Sequence, residues 1–273
     1  MQHRKITFIG AGNMARAIIA GLVASGYPAS AISVCAPSPG KRDALAAEYG
    51  VISSADNIAC AQAADVVVLA VKPQMMAQVC QPLQQQVNFS GKLVLSIAAG
   101  ILVSRFYQML GTTLNIVRIM PNTPALVGEG ISGLYAPAQV SQQDRDYTSS
   151  LMSSVGKICW VDDENDINGV IAAAGSAPAY FFLFMDAMQQ EAERMGFSSQ
   201  AARNLVQQAA VGAAALASAH PEISLATLRD QVTSKGGTTA EALRVFNEHH
   251  LPETVAKAMQ AAVSRAQEME KSF

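Results

Sequence analysis

Two short stretches carry residue types and spacings from which chemistry can be built. Near the start, FIGAGNMARAI spaces Gly10, Gly12 and Ala15 as G-x-G-x-x-A. A strand-like run precedes it and a helical pattern follows, the context in which such glycines bind a dinucleotide. Gly10 permits the tight turn, Gly12 lets the backbone approach a pyrophosphate, and Ala15 lets the helix pack close on the strand. The N–H groups over Ala11, Gly12, Asn13 and Met14 then meet the anion with a helix dipole behind them. Near the other end, SKGGTTAEALRVF, residues 234–246, places two glycines and two threonines before a clean helical pattern. Gly236 and Gly237 carry no side chains, so a small anion can reach the free N–H groups of that helix start. Ser234 opens the same loop. Thr238 stands three residues before Glu241, the spacing of a capping box. On that reading Thr238 caps the helix, and Thr239 is its first residue with a hydroxyl left to face a ligand.

Other candidates gather at the carboxyl ends of strand-like runs, where open α/β sheets bind ligands. The second run, AISVCA, continues into PSPGKR with no acid before Asp43. A carboxylate there would accept from the ribose hydroxyl of NAD and repel a 2′-phosphate, whereas Ser38, Lys41 and Arg42 can bind one. Lysine and arginine also oppose the dipole of the helix they begin, and a bound phosphate gives them a reason to be there. This favours NADPH, with NADH the weaker donor. Ala70, Val71, Lys72 and Pro73 follow a buried strand and are placed to contact the cofactor. Asn122, in MPNTPALVGEG, and Asn57 complete the edge set.

Composition narrows the class. Half of the 273 residues are hydrophobic, 15% are charged and the net charge is -2. There is material for a large core and no electrostatic case for nucleic acid or an anionic membrane surface. Cys35, Cys60, Cys80 and Cys159 are far apart and form no metal-ligand or redox pair, so reduced thiols in the cytoplasm and no metal site are expected. The apolar run ITFIG is too short for a secretory leader. Two nearly uncharged stretches, 167–185 and 204–221, read as helices buried on most faces at a subunit contact rather than as membrane spans. None of His3, His220, His249 and His250 lies in a site motif, so no strong general acid stands out.

Strand and helix patterns alternate through the first half. Strands are expected in KITFIG, AISVCA, ADVVVLAV, KLVLSIAAG, NIVRIMPN and GKICWVDD, with helices after the first three and one from about Ser141 to Ser154. Such alternation gives a parallel sheet with right-handed crossovers. After Glu164 only helical patterns remain, punctuated by Ser198 or Ser199, Ser224, Thr238 and Pro252. The expected division is a nucleotide-binding domain at 1–162 and a helical domain at 163–273.

Taken in order, FIGAGNMARAI, ADVVVLAVKPQ, RIMPNTPALVGEG, AAGSAPAYFFLFMDAM and LRDQVTSKGGTTAEAL make the sequence similar to bacterial-type pyrroline-5-carboxylate reductases over essentially its whole length. The last stretch is the most specific. The resemblance implies an α/β N-terminal Rossmann-like domain with a parallel sheet, followed by an all-α C-terminal dimerisation domain. It implies NAD(P)H-dependent reduction of a cyclic imino acid, 1-pyrroline-5-carboxylate, to L-proline. It also implies homo-oligomers: dimers through the C-terminal helices, often assembled into decamers. The family's substrate-contacting threonine falls at Thr239. Two positions depart from the common pattern: Lys235 stands where proline is frequent, and Ala177 where glycine is. Two other readings stay open. A 3-hydroxyacid dehydrogenase would need a lysine on the helix NGVIAAAGSAPAYFFLF, which has none, and a non-catalytic NADP-binding sensor would not need the GGTT helix start.

Overall fold

The structure, a computed structural model, describes residues 3–272. Among these, eight strands form one sheet in the order β3-β2-β1-β4-β5-β6-β7-β8. They are β1 (Ile6–Ile9), β2 (Ile32–Cys35), β3 (Ile52–Ser54), β4 (Val66–Leu69), β5 (Leu93–Ser96), β6 (Asn115–Met120), β7 (Gly130–Tyr135) and β8 (Gly156–Trp160). The crossover helices are α1 (Asn13–Ala24), α2 (Pro39–Tyr49), α3 (Asn57–Ala63), α4 (Pro73–Gln86), α5 (Val103–Leu110) and α6 (Gln142–Met152). Every pairing is parallel except β6 with β7, so the parallel sheet expected from the sequence holds with one antiparallel step.

Apart from the buried Thr7 and Ser96, the strands β1, β4 and β5 are apolar because helices cover both faces. Their period of two sorts them. Ile6, Phe8, Val66, Val68, Leu93 and Leu95 enter one core cluster, and Ile9, Val67, Leu69 and Val94 the other. Full burial of each such side chain contributes about 1.5–3 kcal/mol. The helix α1 gives Ala15, Ile18, Ile19 and Leu22 to the first cluster, which presses its N-terminus against the end of β1.

Four elements were not expected from the sequence. β3 has three residues, α3 is held by Asp56 accepting from the N–H groups of Ile58 and Ala59, and α5 is short although its buried Val103, Phe106 and Leu110 stand at helical spacing. β7, GISGLY, is glycine-rich and blends with the loop before it; Gly133 is required there because a Cβ would lie 2.6 Å from Val170 Cγ1.

At the end of the sheet where β1 and β6 begin, Arg4 pairs with Asp144 and stacks over Tyr147 at 4.4 Å, while Asn115 donates to the same carboxylate. Burial, the largest influence on the Asp144 carboxyl, pushes its pKa up. Hydrogen bonds from Arg4, Asn115 and Ser141, with the charge of Arg4, outweigh burial and hold it below the usual range. A lowered folded-state pKa contributes stability that is full above the unfolded value and is lost as pH falls through the folded one. Asp144→Asn is therefore expected to cost about 2 kcal/mol at neutral pH. Urea melts should show the gap to wild type closing below about pH 4, near the unfolded carboxyl value.

The remaining helices are α7 (Asp166–Val170), α8 (Ala177–Arg194), α9 (Ser199–Ala219), α10 (Leu225–Gln231), α11 (Thr238–Glu248) and α12 (Leu251–Ser272). The chain divides into two compact units, 1–176 with 262–273 and 177–261, so the break falls later than the expected 162/163. The reason lies in two attachments within the first unit. Ile167 on α7 is fully buried, and the last turns of α12 carry Glu270 to Arg118 on β6.

The second unit is all helix. Ser198 and Ser224 cap α9 and α10 as their positions suggest, and the rings of Phe184 and Phe246 meet at 5.8 Å. Burial on most faces does not hold for its helices within one chain: Phe181, Phe182 and Leu183 on α8 are 67%, 62% and 72% exposed. An apolar surface of this kind marks an interaction site. By length and composition alone, 166–194 could cross a membrane, but a π-helical turn and Pro178 interrupt it.

Candidate active site

The glycine loop joins β1 to α1. Gly10 has φ +116°, and its N–H donates to the Cys35 carbonyl at 2.8 Å. A Cβ there would lie 2.4 Å from the Ala70 carbonyl oxygen, so the backbones of β1 and β4 meet only over glycine. Gly12 is the N-cap residue of α1 and has no heavy atom within 4 Å of where a Cβ would stand. It leaves open space in front of the first-turn N–H groups. Asn13 is exposed, Ala11 and Met14 are half-buried, and Ala15 is packed in the core. An open helix start behind a glycine turn of this kind is able to receive a pyrophosphate.

The other edge residues fall along the same carboxyl side of the sheet. Ser38 is the N-cap residue of α2, but its hydroxyl makes no cap hydrogen bond, and Pro39 supplies no N–H at the next position. Lys41 is exposed. Arg42 is committed elsewhere: its guanidinium donates to the Ala36 carbonyl at 2.6 Å and pairs with Asp43. Ser38 and Lys41 are thus the pair left for a phosphate. Asn57 begins α3, and its Oδ1 is buried without a partner, an atom a ligand donor would satisfy. Ala70 and Val71 follow β4 half-buried, and Lys72 is the exposed N-cap residue before Pro73 opens α4.

Asn122 is different. Its Nδ2 donates to the Ala174 carbonyl at 3.1 Å, and its Oδ1 accepts from the Ile131 N–H at 2.9 Å. Both ends of the amide side chain serve the fold.

The GGTT segment belongs to the second unit. Gly237 N–H donates to the Ser234 carbonyl at 3.0 Å, and Gly236 has φ +73°. This is a tight turn with Lys235 and Gly236 at its centre, and the positive φ demands glycine. A Cβ on Gly237 would lie 2.4 Å from Ser234 Oγ. The turn sets the helix boundary one residue earlier than the capping-box spacing suggests. Gly237 is the N-cap residue, Thr238 the first helical residue, and no side chain caps α11. Glu241 does not reach back; it pairs with Arg244 at 3.0 Å. Both threonines are exposed, and among the described residues neither hydroxyl has a hydrogen-bond partner. An uncapped helix N-terminus with two free hydroxyls can bind a carboxylate and orient a neighbouring polar atom.

One buried cluster escaped the sequence reading. Arg118, 1% exposed on β6, pairs with Glu164 at 3.1 Å and Glu270 at 3.0 Å. Glu164 also accepts from the Val103 N–H, and Glu270 from Asn168 Nδ2. The signal was an arginine inside the apolar strand NIVRIM, since a buried charge needs partners. Burial pushes the Cys35 and Cys80 thiols up to about 12, so neither of these two is poised as a nucleophile.

Comparison with known proteins agrees with this geometry. The family model described as pyrroline-5-carboxylate reductase dimerisation matches residues 164–269, which include the exposed apolar helices and support homo-oligomerisation. The model described as NADP oxidoreductase, coenzyme F420-dependent, matches 5–100. A pyrroline-5-carboxylate reductase of Vibrio alginolyticus is 62% identical over 273 residues, covering 100% of both chains. The solved structure of a pyrroline-5-carboxylate reductase from Coxiella burnetii is 42% identical with a TM-score of 0.92, covering 98% of this chain and 99% of that one. A Plasmodium falciparum pyrroline carboxylate reductase, solved with NADP bound, is 28% identical with a TM-score of 0.88, covering 99% of each. From the glycine loop to the last helix, the chain belongs to the pyrroline-5-carboxylate reductase family.

Proposed function

We propose that the protein reduces 1-pyrroline-5-carboxylate to L-proline, the last step of proline biosynthesis, with NADPH preferred over NADH. The observation that carries this reading is the uncapped start of α11, with two exposed threonine hydroxyls free of protein partners, on a chain of this family. The residues fit the cofactor: Gly10 and Gly12 leave room for the pyrophosphate, and Ser38, Lys41 and the unpartnered Asn57 Oδ1 offer polar contacts toward the adenosine end. Ala11, Asn13 and Met14 add backbone N–H groups, and Ala70, Val71, Lys72 and Pro73 add contacts at the end of β4. When bound, the reduced nicotinamide supplies a hydride to the imine carbon.

The protein's own groups hold and orient. The N–H groups of Gly236 and Thr238 receive the substrate carboxylate, Gly237 contributes the space a side chain would fill, and Ser234 shapes the turn beneath it. Thr239 places its hydroxyl at the ring nitrogen. An imine that arrives protonated needs no enzymatic acid, so the proton comes with the substrate or from solvent. The enzyme works in the cytoplasm as a dimer through its C-terminal helices, with dimers joined into decamers.

NADPH oxidation followed on adding 1-pyrroline-5-carboxylate tests this reading. Wild type should turn over, and Thr239→Val should lose about 100-fold in kcat/KM. Its melting temperature should stay unchanged, because the hydroxyl holds nothing in the fold. Folded wild type that binds NADPH but leaves it unoxidised would favour a sensor instead. Lys41→Ala should weaken NADPH by about tenfold, one charge-assisted contact, and leave NADH untouched. Paired titrations with the two cofactors would show this.

A further inference from the structure

The loop that joins β2 to α2, residues 36–38, has few backbone hydrogen bonds of its own to make. Pro37 has no N–H to donate, and neither does Pro39, which opens α2. Ala36 spends its N–H on the Ser54 carbonyl of β3 at 3.3 Å. The carbonyls of Ala36 and Pro37 find their donor in a side chain. Arg42 Nη1 donates to the Ala36 oxygen at 2.6 Å and to the Pro37 oxygen at 3.3 Å. Its Nε donates to Asp43 Oδ1 at 3.2 Å, and the same oxygen accepts from Ser53 Oγ on β3 at 2.8 Å. An arginine this near a helix start has no reason to stay for the dipole, which its charge opposes. Yet this one is folded back, its side chain 15% exposed. Ser38 and Lys41, between the gripped carbonyls and Arg42, are exposed, and the Ser38 hydroxyl makes no cap hydrogen bond. Every residue of this network lies in the first unit.

We infer that Arg42 is a positioning residue for the choice of NADPH over NADH: it braces the β2–α2 loop so that Ser38 and Lys41 meet a 2′-phosphate that Arg42 itself does not touch. The inference rests on the NADPH reading above and says how that preference is built. NADH has no 2′-phosphate, so a displaced loop costs it little. One guanidinium serves two carbonyls and a carboxylate at once, and a lysine ammonium on a single stem cannot span all three. Lysine would keep a counter-charge for the phosphate and lose the brace.

Arg42→Lys separates brace from charge, and a cycle with Ser38→Ala and Lys41→Ala together shows which groups Arg42 acts through. Kd for NADPH and for NADH is read by fluorescence titration, beside the melting temperature. Arg42→Lys alone should raise NADPH Kd about tenfold, the worth of the one charge-assisted contact it misplaces, and leave NADH Kd within about twofold. In the background that lacks the Ser38 and Lys41 side-chain groups, the same change should move NADPH Kd by less than about twofold, because nothing remains to be positioned. Asp43→Ala frees the other end of the brace and should weaken NADPH by about threefold, the worth of a partly exposed pair. By charge alone, loss of a carboxylate near a bound phosphate would tighten it. If Arg42→Lys fails to fold, Asp43→Ala carries the decision: weaker NADPH binding supports the brace, and tighter or unchanged binding overturns it. Unchanged NADPH Kd in folded Arg42→Lys would mean that charge suffices and would overturn the proposal. So would equal losses in the two backgrounds, which would make Arg42 a phosphate ligand, or equal losses for NADPH and NADH. Folded wild type that binds NADPH no more tightly than NADH would overturn the cofactor reading and this proposal with it. Wild type that prefers NADPH, with an unaffected Arg42→Lys variant, overturns the proposal alone.

Discussion

Gly10→Ala is expected to abolish NADPH binding and to destabilise the nucleotide-binding unit by about 3 kcal/mol or more. Two costs combine. Alanine cannot adopt φ +116° without strain, and its Cβ would stand 2.4 Å from the Ala70 carbonyl oxygen and 2.7 Å from its carbon. Both atoms are backbone in a buried parallel pair, so nothing there can turn aside. Gly12→Ala separates the fold from the ligand. Its φ of −80° suits alanine and the space around it is empty, so the melting temperature should hold. NADPH Kd should still rise about 100-fold, because the methyl fills the place where a phosphate must approach backbone N–H groups. Thermal melts and fluorescence titrations of both variants decide between a loop that is merely structural and one that binds.

The second large effect lies away from any ligand. Arg118→Met should cost about 3–5 kcal/mol, the usual consequence of leaving buried charge without its partner. One guanidinium holds two carboxylates, Glu164 at 18% and Glu270 at 9% side-chain exposure. Its removal strands both, and the last turns of α12 lose their tie to β6. For a chain of this size the melting temperature should fall by roughly 10 °C. Arg118→Lys should recover little, because a single ammonium cannot span both acids as the planar fork does. Adding Glu164→Gln and Glu270→Gln to Arg118→Met should restore much of the loss. If the triple variant is no more stable than the single one, charge balance is not what the cluster provides.

Much of the architecture could be read from residue order alone. β4 announces itself as an unbroken apolar run, and β1 and β5 as runs broken only by Thr7 and Ser96, because the sheet is covered on both faces. β3 and β7 do not, since three residues carry no period and GISGLY gains its place from packing on Val170 rather than from β-propensity. The helix start at Thr238 was misjudged by one position. T-x-x-E has the spacing of a cap, but the turn formed by Ser234 to Gly237 claims the N-cap for glycine and leaves both threonines free. Thr238, expected at the cap, therefore keeps its hydroxyl unspent beside that of Thr239. Asn122 could be placed at the sheet edge from its motif, but not its partners, since the Ala174 carbonyl is 52 residues away in sequence. The exposed face of α8 fits the subunit contact expected there, although composition shows how apolar a helix is and not which chain covers it.

The most direct test of the central claim uses NADPH carrying deuterium at the transferable position of the nicotinamide, incubated with wild-type protein and 1-pyrroline-5-carboxylate. The account predicts L-proline with one deuterium on the carbon that was double-bonded to nitrogen, formed in step with cofactor oxidation. Cofactor oxidised without labelled proline, or no oxidation by protein that binds NADPH, would contradict it.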